Sequence, residues 1–268
     1  MPQSTPIFIT NLAGTDHRKR HMSAMMERLG LDYEFINCID GREWTEEQIK
    51  EIVSDRLFQI RQGNKGWLTP GAIAATKTHL DLIYQRMVDE NIPFAIGMED
   101  DLVLPDNFPG IMEHMHEWAS SIKMSGIVLL HWHIRENEVV KAHSTPAIDK
   151  SPLKGKLLQL HPLQNIGSGA CYFVSLDTAK KLVDSQKPLD RIGDWWKDHE
   201  ELGVINNMYI LHPRVVDASA FESTLQYQGT GIKSVLSKQI KKTKWGRKLI
   251  FNLRNRKSGK VMITPPEK

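Results

Sequence analysis

Residues 94 to 104, FAIGMEDDLVL, constrain the fold more than any other stretch of the chain. From Phe94 to Met98 no polar side chain interrupts the run, which suits a strand covered on both faces. Three consecutive carboxylates follow, Glu99, Asp100 and Asp101, before Leu102, Val103 and Leu104 resume the apolar pattern. A strand interior cannot hold those acids dry, because each unpaired buried charge costs several kcal/mol. The strand is therefore expected to end near Met98 and to carry the acids at its carboxyl edge. Side chains alternate along a strand, so Glu99 and Asp101 should face one way and Asp100 the other.

The rest of the body alternates between strand-like and helical patterns. PIFITNL (6–12) reads as a strand, and Met22, Met25, Met26 and Leu29 then recur at helical spacing until Gly30 stops them. YEFINCI (33–39) is a second strand. Thr45-Glu46-Glu47-Gln48 is a capping box that opens a helix expected to reach about Arg61. Pro70 suits the first turn of a helix carrying Ile73, Leu80, Ile83, Tyr84 and Met87. A helix is expected from about Phe108 to Ile122, and strands at GIVLLHWH (126–133), ACYFVSL (170–176) and within MYILHPRVVDAS (208–219). Asp177 is expected to cap the helix TAKKLVDS, and residues 135–160 to form a surface excursion. Strands alternating with helices define an α/β fold, a mainly parallel mixed sheet flanked by helices.

Charge divides the chain. From Ile232 onward it carries 12 of the 35 Lys and Arg residues and one of the 32 acids, leaving a body with 23 basic and 31 acidic residues, net −8. The boundary is placed near Gly229-Thr230-Gly231, with a body of residues 1–231 and a basic tail of residues 232–268. In SVLSKQIKKTKWGRKLIFNLRNRK (234–257), cations are interleaved with Leu236, Ile240, Trp245, Leu249, Ile250 and Leu253. That pattern reads as an interfacial segment on an anionic membrane surface. Docking on the acidic body is an alternative. Nucleic-acid binding fits poorly with the acidic body, so no nucleic-acid partner is expected. No apolar run approaches the ~18 residues of a membrane span, and the start lacks the pattern of a signal peptide. Cys38 and Cys171 sit among apolar neighbours and are expected as buried thiols, pointing to a cytoplasmic location.

In open α/β sheets the carboxyl edge is where ligands bind. Hard oxygen ligands gathered there suit Mg²⁺ or Mn²⁺, the more so when a phosphate completes the shell. A solvated acidic turn is the plain alternative.

Several segments in order favour the metal reading. Ile9-Thr10-Asn11-Leu12 followed by Asp16-His17-Arg18-Lys19-Arg20, then FINCIDG (35–41), LTPGAIAATKTH (68–79), the acidic strand (94–104), GSGACYFVSLDTAKKLV (167–183) and HPRVVDASAFESTL (212–225) run through most of the body. Together they resemble glycosyltransferase family 25, which includes bacterial lipopolysaccharide galactosyltransferases. There are departures. Ala72 stands where many members carry Glu, and Ala74-Ala75 replace a Gly-Cys pair.

The resemblance implies a GT-A-like nucleotide-binding fold whose acidic motif holds Mn²⁺ or Mg²⁺ against a sugar-nucleotide diphosphate. It implies an inverting hexosyl transfer, from UDP-galactose to a lipopolysaccharide or lipooligosaccharide acceptor. The tail would then hold the enzyme peripherally on the inner face of the cytoplasmic membrane, beside its lipid-linked acceptor. Asp101 is the first candidate metal ligand, with Glu99 assisting it or holding the ribose, Asp100 facing the donor sugar, and His212 able to complete the shell. Thr10, Asn11 and Arg18 lie where a nucleotide meets the first strand and helix, although HRKRH also suits a solvated basic face. Gly167, Ser168 and Gly169 form a loop that lets backbone approach the donor. Inversion in one displacement needs a base for the acceptor hydroxyl. Asp194, in DRIGDWWKDHEELG beside Trp195 and Trp196, is the candidate, with Asp190 and Glu200 as rivals. His131 and His133 are expected to line the cleft, and His79 to be structural.

Overall fold

The structure is a computed structural model, and it describes residues 5–145, 156–218, 220–221, 223–225 and 259–265. Among the described residues, nine strands form one mixed sheet: β1 (Ile7–Asn11), β2 (Glu34–Asn37), β3 (Phe94–Glu99), β4 (Ile127–Leu129), β5 (Val139–Ser144), β6 (Lys156–Leu160), β7 (Cys171–Ser175), β8 (Met208–His212) and β9 (Lys260–Thr264). Their order is β2-β1-β3-β7-β4-β8-β6-β5-β9. β7 runs antiparallel to both β3 and β4, and β6 runs antiparallel to both β8 and β5, while the remaining pairs are parallel. Seven strands therefore point one way and two the other. This α/β sheet with helices on both faces is compatible with a GT-A-like fold.

Alternation along the strands builds two cores. Ile7, Ile9, Ile96, Met98 and Phe173 pack under α1 (Asp16–Leu29) and α6 (Phe108–Ser121) on one face. Phe8, Ala95, Tyr172 and Val174 point to the other face. There they meet α2 (Glu46–Ile52), α3 (Asp55–Gln62), α4 (Pro70–Thr78), α5 (Gln85–Asp89), α7 (Leu176–Ser185) and α8 (Trp196–Glu201). α1 ends where expected, because Gly30 takes the left-handed conformation (φ 66°) that other residues avoid.

Several expectations are corrected. The helix opened by the Thr45 capping box stops at Ile52, since Val53 turns extended to bridge Leu189 and Ser54 caps a second helix. The strand expected over 126–133 is only three residues long, because Leu130 and His131 both donate their amides to the Cys171 carbonyl and break the ladder. Ser175, not Asp177, caps α7 by accepting from the Thr178 amide. Residues 135–160 are not all excursion, as β5 and β6 lie within them. Cys171 is fully buried but Cys38 only partly so. Of the segment 232–268, residues 259–265 are described, and five of them form β9 against β5. The membrane-surface reading falls on residues 234–257, which lie outside the described residues. Among the described residues, no helix is long and apolar enough to cross a membrane.

Between α4 and α5 the helix widens to a π-helical stretch, His79–Tyr84. Single π-turns often mark functional sites, because the extra residue re-aims side chains. Here the result is an aromatic group. His79 Nδ1 and the Tyr172 hydroxyl share a 2.7 Å hydrogen bond, and the Tyr84 and Tyr172 rings lie 5.9 Å apart. Gly97 in β3 makes room for it, since a Cβ there would meet Tyr172 Cζ at 2.3 Å. Gly97→Ala should therefore displace the tyrosine and destabilise the fold by about 1–3 kcal/mol in urea melts, as overpacked cores do. A variant as stable as the parent would show that Tyr172 is not held against β3.

Candidate functional site

β3 ends at Glu99, one residue past the expected Met98, and Asp100-Asp101 form the turn that follows. The parallel neighbour β1 ends beside it with Thr10 and Asn11. The antiparallel β7 starts there, so the loop Gly167-Ser168-Gly169 reaches the same edge, and the Glu99 amide donates to the Ala170 carbonyl at 2.8 Å. Strand direction thus brings three loops from distant parts of the chain to one place.

The acids have separate fates. Asp100 is buried and satisfied: Asn11 Nδ2 donates to it at 2.7 Å and Arg18 donates from its other side at 2.5 Å. Arg18 is buried as well, so the solvated basic face does not describe it. Removing one partner of such a buried pair costs about 3–5 kcal/mol. The same guanidinium lies only 4.0 Å from Asp101 Oδ2, whose companion oxygen Oδ1 is buried without a hydrogen bond. Burial, the Arg18 charge opposing it, and repulsion from Asp100 leave the Asp101 carboxyl raised to about 6. Glu99 is pushed further, to about 8, by burial and then by Asp101, Asp100 and Asp194.

Two small cavities meet here. One, of about 80 Å³, is lined by Thr10, Arg18, Cys38, Glu99, Asp100 and Asp101 among others. The other, of about 90 Å³, is lined by Ala72, Thr76, Glu99, Gly169, Tyr172 and Asp194 among others. Glu99, His79, Ala75 and Leu225 belong to both walls. A larger cavity, about 600 Å³, opens at the far end of β1 among Phe8, Tyr33 and Arg86, away from every acid just described.

Asp194 reaches its cavity because the Gly193 amide donates to Thr76 Oγ1 at 3.0 Å, pinning the turn before α8 to α4. Burial raises its carboxyl above the usual range, opposed by the His133 charge. Its rivals sit elsewhere. Asp190 is engaged by Ser54, Arg56 and Arg191, and Glu200 accepts from the Leu163 amide; neither lines either cavity.

Ser168 is strained, with φ 110°, and is held there by contacts on both sides. Its hydroxyl meets His131 Nδ1 at 2.6 Å and its carbonyl accepts from Trp196 Nε1 at 3.0 Å. Such outliers persist only where the surroundings impose them. Gly167 lies under the His133 ring, where a Cβ would sit 2.7 Å from it. His212 stands apart, its ring against Trp132 at 5.7 Å and outside both cavities. Sequence reasoning gave His79 a structural role; in the structure it lines both cavities, and burial lowers it to about 4 so that it is neutral. Only its place in the LTPGAIAATKTH segment hinted at more. Among the described residues, no group of three or more His, Cys, Asp or Glu side chains is placed to hold a metal ion unaided. The oxygens on offer are Asp101 Oδ1 and the Glu99 carboxyl.

An α/β sheet with a cleft at the carboxyl edge of its strands defines the class: a fold that binds its ligands at that edge. The comparison with known proteins narrows this. A family model described as "Glycosyltransferase family 25 (LPS biosynthesis protein)" matches residues 4–195. The chain belongs to glycosyltransferase family 25, and that membership supports a glycosyltransferase. It is 24% identical over 189 residues to "Probable inactive glycosyltransferase 25 family member 3" of Rattus norvegicus, covering 69% of this chain and 31% of that protein. It is 29% identical over 97 residues to "Glycosyltransferase 25 family member" of Aedes aegypti, covering 36% of this chain and 16% of that protein. The chain thus spans less than a third of the length of these relatives.

The Glu99 environment sets a pH test. Unfolded, a glutamate ionises near the ordinary value of about 4.3. Folded, Glu99 holds its proton to about 8. Its contribution to stability is intact below the unfolded value and is lost as pH rises through the folded one. In EDTA, Glu99→Gln should therefore match the parent near pH 4 to 5 and melt progressively higher than it towards about pH 8. A pH-independent difference would mean that Glu99 is not held in a repelling, dry environment.

Proposed function

We propose that the chain is a metal-dependent, inverting glycosyltransferase that moves a hexose, galactose from UDP-galactose, onto a lipopolysaccharide or lipooligosaccharide glycan. The observation that carries this reading is the pair of adjoining cavities with Glu99 in the wall between them, one bordered by Asp101 and the other by Asp194. The Asp101 side takes the donor diphosphate and the Asp194 side the acceptor hydroxyl.

The residues fit a divalent cation shared with a diphosphate. Asp101 presents a buried oxygen without a partner, and Glu99 and Asp101 repel one another, which a hard cation relieves. Asp101 and Glu99 would hold Mn²⁺ or Mg²⁺, leaving His212 out. The cation supplies charge stabilisation for the departing diphosphate, worth several kcal/mol. Arg18, held by Asp100, lines the same cavity. The Ser168 loop brings backbone close to the donor. Asp194 takes the acceptor proton, and its raised affinity for protons suits it to that task. The lipid-linked acceptor and the placement of the basic tail on an anionic membrane belong to the same proposal.

A second reading has a specific motive. Ala72 lines the Asp194 cavity where many members carry Glu, and one relative's name marks it probably inactive. A sugar-nucleotide- or glycan-binding protein would keep the cleft and lose turnover. Hydrolysis of UDP-hexose without acceptor separates the two, because a pure binder shows none. Under the transferase reading, Asp101→Ala should lower that hydrolysis by at least ~100-fold while the melting curve is retained. Asp194→Asn should spare donor hydrolysis and lower transfer to acceptor by about 100-fold or more. Full turnover in Asp101→Ala would refute the assignment.

A further inference from the structure

Among the described residues, Ala75, His79, Glu99 and Leu225 border both cavities of the cleft. Ala75 and Leu225 carry no polar side-chain group, and Glu99 is assigned to the cation. His79 is the polar side chain left on the shared wall. It opens the π-helical stretch, and a buried hydrogen-bond chain orients its ring. Its Nδ1 lies 2.7 Å from the Tyr172 hydroxyl, which also bonds to the hydroxyl of Tyr84. Both tyrosines are buried. A neutral imidazole carries one ring proton, and the nitrogen that accepts a hydrogen bond is the one without it. With Tyr84 donating to Tyr172 and Tyr172 to Nδ1, both buried hydroxyl protons are used and the ring proton sits on Nε2. The opposite order would leave the Tyr84 hydroxyl proton without an acceptor among the described residues, which buried donors rarely tolerate. Nε2 itself makes no hydrogen bond to a described residue, so it is the polar atom that the ring has left for a ligand.

We infer that the Nε2–H of His79 donates to a hydroxyl of the hexose being transferred and so helps to choose the donor sugar. The inference rests on the proposed function. With the diphosphate on the Asp101 side and the acceptor hydroxyl on the Asp194 side, the anomeric carbon lies between them, against the shared wall. One fixed donor beside the apolar Ala75 and Leu225 distinguishes hexoses by where their hydroxyls fall. A sugar whose hydroxyl misses the donor leaves a polar group unpaired, which is how hydrogen-bonding sites reject close analogues. The donor is also preorganised, because Tyr172 holds the ring and is itself seated against Gly97.

Histidine side-chain ¹⁵N NMR of the full chain tests this, with Mg²⁺ and with UDP, UDP-galactose or UDP-glucose added in turn. The His79 signal is the one lost in His79→Asn or His79→Gln. In the free chain His79 should carry its proton on Nε2, and the tighter-binding UDP-hexose should shift that resonance further than UDP does. In calorimetric titrations, His79→Asn should lose about tenfold more affinity for that UDP-hexose than for UDP, since its amide oxygen can still meet the Tyr172 hydroxyl. His79→Gln, whose amide nitrogen can stand near the place of Nε2, should recover most of the difference. A ring proton on Nδ1, or a shift no larger with UDP-hexose than with UDP, would overturn the inference. So would equal losses for UDP and UDP-hexose in His79→Asn, which a purely structural role predicts. A parent chain that binds no UDP sinks the transferase reading and this inference with it, whereas UDP binding without a His79 effect overturns the inference alone.

Discussion

One guanidinium beside three clustered carboxylates, two buried and Glu99 half-buried, governs the cleft. Arg18 is spent on Asp100, with Asn11 completing that acid's hydrogen bonds, and it reaches Asp101 only at the limit of an ion pair. Burial, with repulsion from Asp100 and, for Glu99, from Asp101 as well, holds the Glu99 and Asp101 carboxyls towards the protonated state. A fold selected for stability alone would replace them with apolar groups at no loss.

Topology explains why the acids meet their neighbours. The parallel pairing of β1 with β3 puts Thr10 and Asn11 level with Glu99. Had β7 run parallel to β3, the strained Ser168 loop would lie at the other end of the sheet. Because it runs antiparallel, the loop abuts the acids, and its approach is tightened by Trp196 and His131. The second face contributes through α4: Thr76 fixes Asp194, and the π-turn after Thr78 aims His79 into the gap between the two cavities. Chemistry on one side of the sheet edge thus depends on a helix packed on the other side of the core.

Much of this could be read from residues close in sequence. The acidic end of β3, the Gly30 stop and the Thr45 box are local signals, and local physics decides them. The order of the family segments likewise joins Asp101 to Ser168, while Asp194 stands out only by the glycine before it and the two tryptophans after it. What escaped depends on distance. The alternation rule separated Asp100 from its neighbours, but nothing local shows that its partner is Arg18, 82 residues away. Val139 and its neighbours in β5 look like exposed loop because half of their side chains are in water, and pairing with β6 and β9 makes them a strand. The stop at Val53 had a local cue in Ser54-Asp55, masked by the helical spacing on both sides. His79 gained its place from Tyr172 and Gly97, neither of which a helix pattern can reveal.

The claim on which the rest depends is that the acids at the end of β3 hold a nucleotide diphosphate through a divalent cation. Calorimetric titration of the full chain with UDP, once with Mn²⁺ and once with EDTA, tests it most directly. The account predicts UDP affinity at least about tenfold tighter with Mn²⁺, and no such gain in a chain lacking the Asp101 carboxylate. Equal affinity in both titrations, or a Mn²⁺ gain that survives without that carboxylate, would contradict it.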